Sequence, residues 1–158
     1  MLFGGRGKGT QATVPAAEPE GWWTPPQAPR TGALIMAVDD DATSRAAIIN
    51  ALEAAGYRVH AVSNYADWES ARRGGMVADL LVLDIMLAEP RRGGYEILRT
   101  LRKEDRTTPV VMVSSRHTAS DEAFAKANQA NAFVSKVQDE FDHPEHGLVA
   151  MVHRLLST

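Results

Sequence analysis

Four times in this chain a run of consecutive apolar residues stops on a polar group. Leu34-Ile35-Met36-Ala37-Val38 ends on Asp39-Asp40-Asp41, and Leu80-Leu81-Val82-Leu83 ends on Asp84. Val110-Val111-Met112-Val113 ends on Ser114-Ser115, and Ala132-Phe133-Val134 ends near Lys136. Runs apolar on successive residues suit strands covered on both faces, the habit of parallel sheets. Tyr57 to Val62 reads as one more strand. Between the runs lie segments of helical period. Residues 43–55 carry Ile48, Ile49, Leu52 and Ala55 and stop at Gly56, a natural residue just past a helix end. Asn64 suits the cap of a helix over 65–73 that ends at Gly74-Gly75. A third helix is predicted over 95–103, with Ile97, Leu98 and Leu101 on one side. A short one starts near Ser120, with Asp121 and Glu122 at its positive end. The last spans about 144–156, where Leu148, Met151, Val152, Leu155 and Leu156 form a stripe. Strict alternation of strand and helix predicts an α/β sandwich around a five-stranded parallel sheet. Right-handed crossovers then bring every strand's carboxyl end to one edge, where ligands of such sheets bind.

Composition narrows the rest. The 158 residues suit one domain, and 44% apolar content is enough for a core. Seventeen basic against twenty acidic residues leave no basic face for nucleic acid. No apolar run reaches the roughly 18 residues a membrane span needs. The absence of cysteine excludes disulfides, thiolate zinc sites and a cysteine nucleophile, and fits a reducing, cytoplasmic setting. Residues 1–32 hold six of the twelve glycines and five of the eight prolines without apolar periodicity, so they read as a disordered arm before a domain at 33–158. Gly4-Gly5-Arg6-Gly7-Lys8-Gly9-Thr10 is no phosphate loop, because Gly9 follows the lysine and no strand precedes it. Trp22-Trp23 in the arm is either a chance exposed pair or a short docking motif.

The carboxyl edge should receive Asp39 and Asp40 from the first strand, Asp84 from the third, Ser114 from the fourth and Lys136 from the fifth. Carboxylates this close repel one another unless a cation joins them. Magnesium suits them: it prefers oxygen donors and is often held by one or two carboxylates with a phosphate oxygen. One Asp could then act as a nucleophile on phosphorus. Asp41 reads as a helix cap. His143 and His146 lack a third ligand at metal spacing and read as solvated or capping residues. Arg91-Arg92 reads as a solvated loop pair that could help steer a phosphodonor.

The acid pair after Leu-Ile-Met-Ala-Val resembles the receiver domain of two-component response regulators, the CheY-like family. So do Asp84 in Asp-Leu-Leu-Val-Leu-Asp-Ile-Met-Leu, Pro109 to Ser115, and Phe133-Val134-Ser135-Lys136. The likeness runs over residues about 33–157, with spacings of 45, 30 and 22 residues from Asp39 to Asp84, Ser114 and Lys136 in turn. It implies a doubly wound (βα)5, flavodoxin-like sheet in strand order 2-1-3-4-5. It implies Asp84 as phosphoacceptor, and Mg²⁺ held by Asp39, Asp40, Asp84 and the backbone carbonyl of Met86. Ser114 and Lys136 would bind the phosphoryl group, and Phe133 would sit at the switch-aromatic position and move with Ser114.

The loop after Asp84 departs from the family: Ala88 replaces a usual proline, and the loop is two residues longer. Val137 stands where a cis proline is usual, so the turn after Lys136 should be built differently. Arg116 and Met86 match positions that tune phosphoryl lifetime. Only 22 residues follow Lys136, so the expectation is a single-domain response regulator, not an enzyme. It would be phosphorylated by a histidine kinase or phosphotransfer protein and would signal by contact with an unidentified protein target; a homodimer through the helix-four to helix-five face is left open. One alternative is a pseudo-receiver that is never phosphorylated. Another is an aspartyl-phosphate hydrolase, for which Met86 stands where a second acid is needed.

Overall fold

The computed structural model describes residues 32–85, 93–116 and 118–157. Trp22-Trp23, Met86, Ala88 and Arg91-Arg92 lie outside the described residues, as does all of the expected arm except Gly32. Five parallel strands, β1 Leu34–Val38, β2 Arg58–Val62, β3 Leu80–Asp84, β4 Val110–Ser114 and β5 Ala132–Ser135, form one sheet in the order β2-β1-β3-β4-β5. Helices α1 Ala42–Ala54, α2 Tyr65–Arg73, α3 Gly94–Arg102, α4 Ala119–Ala127, α5 Gln138–Phe141 and α6 Leu148–Leu156 connect or follow them. This is the doubly wound arrangement expected from the sequence.

Both faces of the sheet are covered, which explains the unbroken apolar runs. Ile35, Ala37, Val82, Val111 and Val113 pack with Ile48 and Leu52 of α1 and Leu148 and Val152 of α6. Met36, Val38, Leu81, Leu83 and Met112 point the other way, onto Trp68 of α2 and Ile97 and Leu98 of α3. Successive side chains of each strand thus alternate between two cores.

Local chemistry sets most boundaries. Asp41 caps α1, as its position predicts, by accepting from Ser44 N at 2.7 Å. Asn64 caps α2 through Asp67 N at 2.8 Å, and Thr118 caps α4 through Asp121 N at 3.0 Å. Gly56 follows α1 at φ +100°, a conformation L side chains rarely adopt. The carboxyl end is a correction. A helix was expected from about 144, but α6 begins at Leu148, and the four-residue α5 precedes it. A Cβ on Gly147 would lie 2.4 Å from the Phe141 carbonyl oxygen, so the chain turns tightly there before the stripe begins. His143 and His146 sit in that turn with rings stacked 3.6 Å apart, and His143 Nδ1 accepts from Glu145 N. No helix among the described residues is long and apolar enough to cross a membrane.

The loop from α3 to β4 is tied by Asp105, which accepts from Thr107 N at 2.8 Å, Thr108 N at 3.0 Å and both threonine hydroxyls. Burial alone would raise its pKa, but these donors, Thr108 first, hold the carboxyl far below the usual range. A depressed folded pKa contributes stability above the unfolded value of about 3.9 and loses it as pH falls through the folded one. Asp105→Ala should therefore lower stability by about 1–2 kcal/mol at neutral pH, a figure kept small because the site is partly solvated. Urea unfolding across pH checks it: the deficit should shrink once pH drops below about 4.

Candidate functional site

Register brings the acidic groups together. Val38 is level with Leu83, so Asp39 and Asp84 follow on adjacent strands at one height. The ladder continues past each strand end. Asp39 N donates to Val62 O at 3.1 Å, Ile85 N to Val113 O at 3.0 Å, and Lys136 N to Ser114 O at 2.8 Å. That last bond aims Lys136 back across β4. Its ammonium lies 2.8 Å from Asp39 Oδ2 and 3.1 Å from Asp84 Oδ2, with the side chain only 14% exposed. Burial alone would lower the lysine's pKa; the hydrogen bond it donates to Asp39 and the charges of Asp84 and Asp39 outweigh burial and hold the pKa above the ordinary value.

Asp39 is wholly buried and richly bonded. Its Oδ1 accepts from Asp41 N at 2.9 Å, and its Oδ2 accepts from the Ser44 hydroxyl at 2.5 Å as well as from Lys136. Arg45 Nη1 donates to the Asp39 carbonyl at 2.9 Å. Ser44 and Arg45 escaped the sequence reading. The available signal was position, since both lie in the first turns of the helix that follows the acid pair. Asp40 is more open to solvent than its two neighbours. One oxygen from each of Asp39, Asp40 and Asp84 lies within 4.8 Å of the others.

That donor set fits a hard divalent cation. Three carboxylate oxygens share one small volume, two from buried residues, and the Lys136 ammonium that contacts two of them cannot by itself balance three negative charges. The Met86 carbonyl, named as a further ligand from the sequence, falls outside the described residues.

Ser114 is buried at the end of β4, paired in register with buried Ser135. Its Oγ accepts from Arg116 N at 3.0 Å, and Ser135 Oγ accepts from Val137 N at 3.1 Å. Two serines thus shape the turns leaving adjacent strands. At Val137, where a cis proline was the family habit, the described peptide bonds are all trans and φ is -60°. Phe133 is half-buried against the α3-side core. Arg116 forks onto Asp121 at 3.0 and 3.3 Å, Tyr95 donates to the Asp121 carbonyl at 3.0 Å, and the Tyr95 ring packs 4.4 Å from Phe124. The loop after Ser114 is thereby strapped to α4.

Gly94 opens α3 against this site. A Cβ there would meet the Asp84 carbonyl oxygen at 2.3 Å and Met112 Cε at 3.1 Å. Backbone cannot yield as a side chain does, so Gly94→Ala should displace the Asp84 segment and lower stability by about 1–3 kcal/mol. Thermal unfolding measures that loss.

Residues 35–144 match the family model described as the response regulator receiver domain. The chain belongs to that family. It is 32% identical over 130 residues to the DNA-binding transcriptional regulator NtrC of Rhizobium meliloti, covering 80% of this chain and 25% of that protein. It is 34% identical over 103 residues to the uncharacterized transcriptional regulatory protein YkoG of Bacillus subtilis, covering 65% and 43%. The chain therefore spans less than half the length of these curated relatives. A putative response regulator from Chloroflexus aurantiacus shares the fold at TM-score 0.70 and 23% identity, covering 81% of this chain and all of that one. TrrA of Thermotoga maritima, solved with Mg²⁺ and BeF, does so at TM-score 0.66 and 23% identity, covering 78% and 99%. Receivers are signalling modules of two-component systems, in which Mg²⁺ and aspartyl phosphorylation are typical.

Proposed function

We propose that this receiver accepts a phosphoryl group on Asp84 from a histidine kinase or phosphotransfer protein, and that residues 33–158 are the responding unit. The observation that carries the reading is Lys136 Nζ within 3.1 Å of Asp84 and 2.8 Å of Asp39, at the rim of a three-carboxylate cluster. An Asp84 oxygen bonds to phosphorus as the donor's P–N bond breaks; the imidazole leaves with the electron pair and is protonated. Asp39, Asp40 and Asp84 would hold Mg²⁺, with the Met86 carbonyl as the further ligand the family resemblance implies, and the ion would neutralise charge on the phosphoryl oxygens. Lys136 exchanges part of its contact with Asp84 for a phosphoryl oxygen, as a compact cation. The Ser114 hydroxyl donates to another, while Asp39 keeps Lys136 in place.

A cleft of about 330 Å³ opens beside the site, lined by Thr43, Ala47 and Ala51 of α1 with Lys136 and Phe141. It supports the approach of a donor protein there. Output follows as a change in protein contacts. The Ser114 loop is strapped through Arg116 and Asp121 to α4, whose Phe124 is exposed, so moving Ser114 and Phe133 would reshape that surface.

Incubation with acetyl phosphate and Mg²⁺ should add one phosphoryl group to the intact protein by mass spectrometry, and a chelator should abolish the gain. No gain under any Mg²⁺ concentration would leave an unphosphorylated interaction module as the correct reading.

A further inference from the structure

At the opposite edge of the sheet, far from Asp84 in the strand direction, a cavity of about 210 Å³ lies between α2 and α3. Its lining is Met36, Trp68, Leu81 and Leu101 from the core, with Met76 and Ala78 from the segment before β3. An apolar cavity of roughly 150 Å³ is enough to hold benzene, so this one has room for an indole. Val77, 81% exposed, also lines it and is the most exposed of the large apolar side chains described.

We propose that the cavity is the docking site for the Trp22-Trp23 segment of the same chain. Two observations converge. The described chain begins at the right place: Leu34 exchanges bonds with Asp79, its N donating to Oδ2 at 2.8 Å and its O accepting from Asp79 N at 2.7 Å, and Asp79 adjoins cavity-lining Ala78. Gly32 is held beside that edge by Arg58 Nε on its carbonyl at 2.8 Å. Trp23 lies nine positions before Gly32, a stretch that can span up to about 30 Å. The chemistry matches as well. Arg72 lines the cavity with its guanidinium 5.0 Å from the Trp68 ring, so a second aromatic face completes a sandwich around the cation. Glu104 at the rim accepts from Arg72 at 2.6 Å and stands as an acceptor for an indole N–H. The docked segment leaves the phosphorylation edge open, and the inference holds whether or not Asp84 is phosphorylated.

The full chain labelled with 5-fluorotryptophan gives three ¹⁹F resonances, assigned with Trp22→Phe and Trp23→Phe. At least one arm resonance should be shifted from the free-indole position and quenched several-fold less by a soluble paramagnet. Val77→Glu and Met76→Glu should each return it to the free position while the far-ultraviolet circular dichroism spectrum and the cooperative thermal unfolding, which report folding, are kept. Both arm resonances at the free position in the unmodified chain overturn the proposal, as does protection indifferent to Val77→Glu. Protection that fades on dilution overturns it in favour of a second copy as the occupant.

Discussion

Lys136→Ala should lower stability by about 3–5 kcal/mol in metal-free buffer, the usual loss when one partner of a buried ion pair is removed. The reason is geometric. Lys136 Nζ contacts Asp39 and Asp84 at once, and both carboxylates are buried. Without the ammonium they face each other and Asp40, and Asp39 keeps its hydrogen bonds from Asp41 N and the Ser44 hydroxyl. Saturating Mg²⁺ should restore much of the loss, because a ligand of the folded state stabilises it by mass action. Thermal unfolding with and without Mg²⁺ checks both statements, and a loss unaffected by Mg²⁺ would count against a cation site. In the unmodified protein the lysine's raised pKa means its stabilisation is complete at neutral pH. It is lost as pH rises through a value above the ordinary lysine range, about 10.4.

Asp84→Asn should move in the opposite direction while abolishing phosphoryl uptake altogether. At an effective dielectric of about 20, each repulsion of Asp84 with Asp39 and Asp40, within 4.8 Å, amounts to roughly 3 kcal/mol or more. Its attraction to Lys136 at 3.1 Å amounts to roughly 5 kcal/mol on the same scale. The two repulsions together exceed the attraction, and the desolvation of a buried carboxylate, which asparagine does not incur, acts in the same direction. Metal-free stability should therefore rise. Mg²⁺ should stabilise the variant less than it does the original, since one of three donors is weakened. Mass spectrometry after acetyl phosphate treatment reads the first effect and unfolding curves the second. Undiminished uptake by Asp84→Asn would move the acceptor to another residue.

These opposite signs also show how far the linear chain could be read. That Asp39, Asp84, Ser114 and Lys136 share an edge was legible, because parallel strands alternate with helices and each apolar run ends on one of them. Which carboxylate the lysine grips was not. Lys136 passes over β4 to reach both Asp39 and Asp84, and Asp39 takes a second donor from Ser44, two facts that depend on side chains meeting across three strands. The resemblance to receivers carried the strand order, which apolar periodicity alone leaves open.

The amino-acid order by itself determined the strands, most helices and their ends. Each follows from neighbours a few residues apart: Asp41 and Asn64 as caps, Gly56 past α1, and the unbroken runs of β1, β3 and β4. Tertiary packing alone decided the reach of Lys136 over β4 to Asp39 and Asp84, and the cavity beneath Met76 and Ala78. Those features arise where groups distant in the chain compete for the same space or the same hydrogen bond.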